Sequence, residues 1–227
     1  MLIPAQLRQD ELRNLFTSVW YDEKFMYFYD GTGRNLYQSD DNCYYSRQFC
    51  SVDEDDDIVG YIGYNYNNES RSANNFGLCA FKNYNQTFFN DVIIAIYELF
   101  YKFKLDRVEF LCFDGNPAIR GYRSFIKRYG GREVARLRKV CRLMDGKLHD
   151  SFIFEVLAED LKVIPGTGIT KLHDDYDKIV SKHKKKELEK TKKMLSKSLN
   201  FNDPLCAFYK NNHILEEIKN DSVWQNN

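Results

Sequence analysis

Histidine and proline are scarce in this chain, with four of each among 227 residues. The histidines, His149, His173, His183 and His213, form no HExxH pair, and neither a GxSxG elbow nor a Walker phosphate loop occurs. Those absences remove the common zinc-peptidase, serine-hydrolase and nucleoside-triphosphatase readings. Cysteine occurs at 43, 50, 79, 112, 141 and 206 but never as CxxC, and three of the six lie in apolar, strand-like runs. Buried, reduced thiols are therefore expected, rather than a disulfide framework or a zinc site, and no metal is expected. No apolar run approaches the ~20 residues needed to cross a bilayer. Met1-Leu2-Ile3-Pro4 lacks the basic segment and long apolar stretch of a signal peptide, so it reads as the start of the fold in a cytoplasmic protein. Neither sign of charge is in excess: 33 basic residues face 33 acidic ones. No membrane partner is expected, and nucleic acid is not expected to steer to the molecule as a whole, although local patches can still act.

What is present is an ordered series of amphipathic segments. Leu12, Leu15, Phe16 and Val19 recur at helical spacing behind Gln9-Asp10-Glu11, which predicts a helix over 7–19. Residues 30–42, rich in Gly, Asn, Ser and Asp, read as a loop. Three strands are expected at 44–52, 58–66 and 75–81, joined by the acidic turn Asp53–Asp57 and the polar turn Asn67–Ala73. A long apolar helix over 91–103, capped by Asn90 or Thr87, precedes a strand at 107–113. That order requires a crossover, hence a locally parallel strand pair. A second helix spans 117–129 and ends at Gly130-Gly131. A hairpin of 133–144 and 151–157 then turns at Asp145-Gly146, a strong hairpin dipeptide. The fold class is α/β, with a mixed central sheet. After Asp160 the character changes: Pro165-Gly166-Thr167-Gly168 marks a break and Lys182–Lys193 is lysine-rich and helical in pattern. We expect a main domain over 1–160 and a helical extension over 161–227. Its lysines read as a solvated helix face, with a protein partner, self-association through 177–200 or nucleic-acid contact as alternatives.

Several strings in this order resemble the GNAT acetyltransferases. Leu105–Leu111 followed by Asn116-Pro117-Ala118-Ile119-Arg120-Gly121-Tyr122 is similar to that family's strand, Asn, and helix bearing Ala and Tyr. Gly130-Gly131-Arg132-Glu133 resembles the turn after that helix. Asp145-Gly146-Lys147-Leu148-His149-Asp150 resembles a hairpin of the ribosomal-protein and small-amine branch, and Ile58-Val59-Gly60-Tyr61-Ile62 its third strand. The resemblance covers about residues 1–160. It implies a sheet of the acyl-CoA N-acyltransferase type, acetyl-CoA as co-substrate, and transfer of an acetyl or short acyl group to a primary amine of a small molecule or protein.

The resemblance also implies a site. Leu78, Cys79, Ala80 and Phe81 would supply a strand edge on which the pantetheine amides bond as a pseudo-strand. The helix start at Gln86, Thr87, Phe88, Phe89 and Asn90 would direct N–H groups at the pyrophosphate, with Asn116 beside the cleft. Tyr122 matches the tyrosine that gives a proton to the departing thiolate, although Ile126 takes that position when the count starts from Gly130. The sequence departs from the family at the phosphate loop. Asn85-Gln86-Thr87-Phe88-Phe89-Asn90 holds no glycine, and Phe88 falls where the backbone should approach phosphate most closely. That departure favours the alternative of a degenerate binding or interaction module that no longer uses CoA. The aromatic stretch 84–101 also permits another acyl donor. No general base is assigned; Glu109 and the 53–57 acids are available. Arg132, Arg136, Arg138 and Arg142 are expected to form a basic sheet face, either plain solvated surface or a site for an acidic acceptor or the CoA 3′-phosphate.

Overall fold

In the computed structural model the chain is described over residues 1–19, 22–27, 46–82 and 85–198, with side chains through Lys192. The loop expected over 30–42, Cys43 and Cys206 lie outside those residues. Seven strands form one mixed sheet: β1 (Leu2–Pro4), β2 (Ser46–Val52), β3 (Ile58–Asn67), β4 (Ser72–Ala80), β5 (Arg107–Phe113), β6 (Arg132–Arg142) and β7 (Leu148–Leu157). Their spatial order is β1-β2-β3-β4-β5-β7-β6. Every neighbouring pair is antiparallel except β4 and β5. Among the described residues four α-helices accompany it, α1 (Gln9–Val19), α2 (Gln86–Tyr101), α3 (Ala118–Tyr129) and α4 (Lys171–Ser198).

The sheet's alternation decides which helix lies where. Cys50, Tyr61 and Cys79 share one face and bury against Leu12 and Phe16 of α1. Asp10 and Glu11 stand in the first turn of that helix, where the peptide dipoles favour negative charge. Gly60, Ile62 and Tyr64 face the other way. There a Cβ on Gly60 would stand 2.2 Å from the Phe88 ring, and the Ser51 hydroxyl donates to Asp91 of α2 at 2.7 Å. α3 lies on this second face, since Tyr122 and Phe125 pack on Phe110 of β5. Asp91 is fully buried, and the Met1 ammonium lies 3.0 Å from the same oxygen that the Ser51 hydroxyl bonds.

Among the helices of the main domain, the largest shift of a boundary is at the start of α2, expected at Asp91. α2 begins at Gln86, and Asn85 caps it by accepting from the Phe88 N–H at 3.1 Å, in place of the caps expected at Asn90 or Thr87. The physical reason is that Phe88 faces the core: its ring fills the space left by Gly60, so the first turn winds before the apolar run that the periodicity detects. α3 ends where Gly130 takes φ +112, and a Cβ there would stand 1.9 Å from the Asp160 carbonyl oxygen. Gly130→Ala therefore meets both a disfavoured backbone conformation and backbone it cannot push aside. We expect a loss of about 3 kcal/mol or more in urea denaturation.

The chain divides into two compact units, Met1–Asp177 and Lys178–Asn227. The first takes in the Pro165–Gly168 turn and the opening turns of α4. Asp175 holds them: it accepts from Arg128 at 2.8 and 2.6 Å and from the Tyr129 hydroxyl at 2.8 Å, with the Lys171 ammonium 3.2 Å away. The Tyr176 ring stacks on Tyr97 at 3.6 Å, and Leu172 is fully buried. Burial alone would push the Asp175 carboxyl up, but the donors from Arg128, Tyr129 and Lys171 outweigh it and hold the group below its ordinary 3.8. A depressed carboxyl stabilises the fold above its unfolded pKa, and that contribution is lost as pH falls through the folded value. Asp175→Asn should therefore cost about 2 kcal/mol at pH 7. It should also flatten the loss of thermal stability below about pH 4, a loss the parent protein shows in full.

Candidate functional site: the gap between β4 and β5

Two adjacent parallel strands are held together at only one end. Ser72 pairs with Arg107 and Ala73 with Val108, after which β4 continues to Ala80 and β5 to Phe113 without further pairing. The divergence starts at a bulge. Against β3, the register jumps from Gly63↔Gly77 to Asn65↔Asn74, which puts one extra residue into β4, and Asn75 adopts φ +49. A bulge sharpens twist and ends ladder pairing; asparagine tolerates the left-handed conformation that this one needs. Below the bulge the gap is filled: the Phe76 ring meets Phe110 at 5.1 Å in a T-shaped contact, and Tyr64 stacks under Phe76 at 5.4 Å. Above that aromatic floor, Gly77–Ala80 and Leu111–Phe113 form the two walls. Leu111 is 39% exposed, unusual for an interior strand.

Leu78, Cys79 and Ala80 thus lie on one wall, with Phe81 directly after it, its N–H bonded to the Val59 carbonyl of the neighbouring strand at 3.0 Å. The Cys79 thiol is buried on the α1 face, and burial pushes it up to about 12, so it stays protonated. Of the four leading N–H groups of α2, the Asn85 side chain takes that of Phe88, and its carbonyl takes that of Phe89 at 3.2 Å. Gln86 and Thr87 have no such bond among the described residues, and Gln86 and Asn90 bond each other through their side chains at 2.9 Å. Phe88, expected to obstruct this helix start, instead lies on Gly60 of β3; Phe89 is 60% exposed. Asn116 lies two residues before α3, accepting from the Ala118 N–H at 2.9 Å and, through its carbonyl, from that of Ile119 at 3.1 Å.

Tyr122 comes to the floor of the gap. Its ring lies 5.3 Å from Phe110 and 5.6 Å from Phe154, and it is 9% exposed. Burial raises the phenol well above its usual 10, and the neighbouring Cys112 thiol pushes it the same way. Such a group is a hydrogen-bond and proton donor over the whole neutral range, never a base. The alternative aligned position, Ile126, carries no donor. Glu109 accepts from Arg107 at 2.7 Å, so it is held in an ion pair on the strand.

A feature that sequence reading missed closes the open end of the gap. After α1, Phe25 packs near Phe81 at 6.4 Å, at the end of β4. Two residues on, Tyr27 sits over Gly115, where a Cβ would be 2.8 Å from its hydroxyl, and edge-on to His149 at 6.2 Å. The segment 22–27 therefore passes from the end of one wall to the end of the other on the α1 face. His149 is fixed between the Asp114 carbonyl (3.2 Å) and the Asp145 carboxylate (2.9 Å). Burial, Asp145 and Asp114 all raise the Tyr27 phenol. The aromatic run Phe25-Met26-Tyr27 was the available signal, but nothing in its spacing says which strand ends it meets.

Two of the four arginines of the basic face expected on β6 are paired with carboxylates. Arg132 pairs with Glu155 at 2.7 Å and Arg136 with Asp150 at 2.8 Å, while Arg142 donates to the Gly146 carbonyl. A second bulge, with Lys139 at φ +54, breaks the period of two. The acidic turn is likewise compensated, by Arg8 on Asp56 and Lys82 on Asp53 and Asp57. The described cysteines, Cys50, Cys79, Cys112 and Cys141, are free thiols, the first three buried, as the sequence implied. No helix among the described residues is long and apolar enough to cross a membrane.

No protein-family model matches the chain, and no curated protein sequence matches it. Solved structures do. Spermidine N-acetyltransferase from Vibrio cholerae, in complex with CoA and spermine, superposes with a TM-score of 0.55 at 17% identity, over 70% of this chain and 96% of that one. A mutant of the same enzyme superposes with a TM-score of 0.53 at 17% identity, over 70% and 94%. At that identity the likeness establishes the fold: this is the mixed sheet of the acyl-CoA N-acyltransferases, with a helix added at the C-terminal side.

Proposed function

We propose that the chain is an N-acyltransferase that moves an acetyl or similar short acyl group from CoA to a primary amine. The observation that carries this reading is the separation of β4 from β5 at the Asn75 bulge, above an aromatic floor and beside the start of α2. The unpaired edge of β4 offers backbone donors and acceptors to a chain bearing amides, in the manner of an added strand. The N–H groups of Gln86 and Thr87, with the α2 dipole behind them, suit a pyrophosphate. These groups fit CoA. When bound, it supplies the activated acyl carbon as a thioester.

The chain's own residues then have distinct tasks. The Phe76 and Phe110 rings exclude water from the floor, which strengthens every hydrogen bond made above them. Tyr122, held neutral and so protonated, gives a hydrogen bond and its phenolic proton to the sulfur that departs, and the proton that the amine nitrogen loses as the amide forms restores the phenol through solvent. The amine approaches on the α1 face, past Tyr27, where Asp114 and Asp145 stand, paired with Arg136 and His149. The solved neighbour holding CoA and spermine supports an amine acceptor here. Buried, unpaired thiols and a CoA donor fit a cytoplasmic location. Isothermal titration with acetyl-CoA tests the reading: one site with Kd below about 1 mM, or −4.1 kcal/mol, is expected.

One observation favours a second reading, a domain of this fold that binds a partner and no longer uses CoA. No glycine stands in 85–90, and the first turn of α2 is capped from within by Asn85. No heat with millimolar acetyl-CoA would select this reading over the first.

A further inference from the structure

The chain is neutral overall, yet its charge is not evenly spread. From Lys178 to Lys192 it holds seven lysines and two glutamates, a net charge of +5, so the remainder carries −5. This stretch belongs to the continuous helix α4 and begins the second compact unit. Every residue from Lys184 to Lys192 is exposed, as are Lys178 and Lys182. At about 100° per residue, Lys178, Lys182, Lys185, Lys186, Lys190 and Lys192 fall within an arc of about 160°, along about 21 Å of helix. Lys178, Lys182, Lys186 and Lys190 succeed one another at i, i+4, a spacing at which like charges each cost about 0.2–0.5 kcal/mol. Within α4, Asp174 stands one turn before Lys178, and Glu187 and Glu189 lie among the later lysines, so that repulsion is only partly offset.

We infer that this face of α4 binds duplex DNA, lying in the major groove and contacting phosphates without reading bases. Charge complementarity selects a polyanion. The width of the arc selects a groove, because lysines spread over nearly half the circumference reach both phosphate walls at once, whereas a flat surface meets only a narrow stripe. The major groove of B-form DNA, about 12 Å wide, admits a helix of about 10–12 Å diameter; that of an A-form RNA duplex is too narrow. A lipid surface fits poorly. Ile179, Val180 and Leu188 fall on three separate faces and give no apolar stripe to insert. A second copy of the helix would bring like charges together.

The test is fluorescence anisotropy of a labelled 20-base-pair DNA duplex titrated with the full chain at several salt concentrations. About four phosphate contacts predict micromolar affinity near 50 mM salt and a slope of log K against log salt of about −3 to −5. Replacing Lys182, Lys185, Lys186 and Lys190 together by Gln should weaken binding at least tenfold and bring the slope to about −1. Gln has nearly the helix propensity of Lys, so circular dichroism should not change. The same four positions changed to Arg should retain both affinity and slope. The inference is overturned by no binding at 100 µM protein, or by a salt-independent signal. It is also overturned by undiminished binding in the Gln variant, by equal affinity for an RNA duplex, or by binding to phosphatidylserine vesicles but not to DNA.

Discussion

Phe88→Gly should destabilise the fold severely instead of opening a phosphate loop. The sequence alone suggests the opposite, because glycine is the residue expected where a backbone approaches pyrophosphate. In the structure Phe88 is 8% exposed, and its ring covers Gly60 so closely that a methyl group there would stand 2.2, 2.4 and 2.9 Å from three of its carbons. Removing the ring leaves a cavity costing about 3–5 kcal/mol, and glycine inside a helix adds about 1 kcal/mol. Against a typical total of about 5–15 kcal/mol, that is a large share. At 2–4 °C per kcal/mol for a chain of this size, the midpoint should fall by roughly 10–20 °C. The converse substitution, Gly60→Ala, should also destabilise, by about 1–3 kcal/mol through overpacking. Combined with Phe88→Leu it should cost less than the sum of the two, with a coupling of at least about 0.5 kcal/mol. Strict additivity would mean that the two residues do not touch.

Tyr122→Phe should leave the fold and the affinity for acyl-CoA intact while lowering turnover by about a hundredfold or more, the usual contribution of a positioned proton donor. Ring packing against Phe110 and Phe154 survives the change, and only the hydroxyl is lost. Because burial raises that phenol, its proton is retained as pH rises, so the rate should show no alkaline decline from this group below about pH 10, its unperturbed value. The matching control is Ile126→Ala, one turn further along α3: it should affect stability rather than the chemical step. A Tyr122→Phe variant with full turnover would reduce Tyr122 to a packing residue of the Phe110–Phe154 cluster.

How much of this was legible beforehand depends on the length scale of the determinant. The strand at 107–113 reads with the same limits in sequence and structure, because alternation, a charged start and the Asp114-Gly115 turn are all local signals. The crossover and the parallel pair follow from element order alone. The bulge that opens the gap does not: Asn75 reads as the first residue of a strand over 75–81, behind a turn that ends at Ala73. Only the pairing of β4 with β3 on one side and β5 on the other shows an extra residue inside a strand. The start of α2 was misplaced for a related reason. Gln86-Thr87-Phe88-Phe89 carries no period of its own, and the partner that makes Phe88 a core residue, Gly60, lies on another strand. The docking of Leu172, Asp175 and Tyr176 was hidden by the Pro165–Gly168 break. Their partners Tyr97, Arg128 and Tyr129 lie more than 40 residues earlier. Of the residues taken from resemblance, Leu78–Ala80 lie on the β4 wall, Gln86–Asn90 at the start of α2, and Asn116 and Tyr122 on the side of β5 and α3, while the Phe25–Tyr27 segment at the gap's end has no counterpart in any motif.

A crystal structure of the protein grown with CoA tests the central claim most directly. The account predicts pantetheine density lying between Gly77–Ala80 and Leu111–Phe113, its sulfur near Tyr122 and its pyrophosphate at Gln86 and Thr87. CoA bound elsewhere, or absent at millimolar concentration with β4 and β5 still parted, would contradict it.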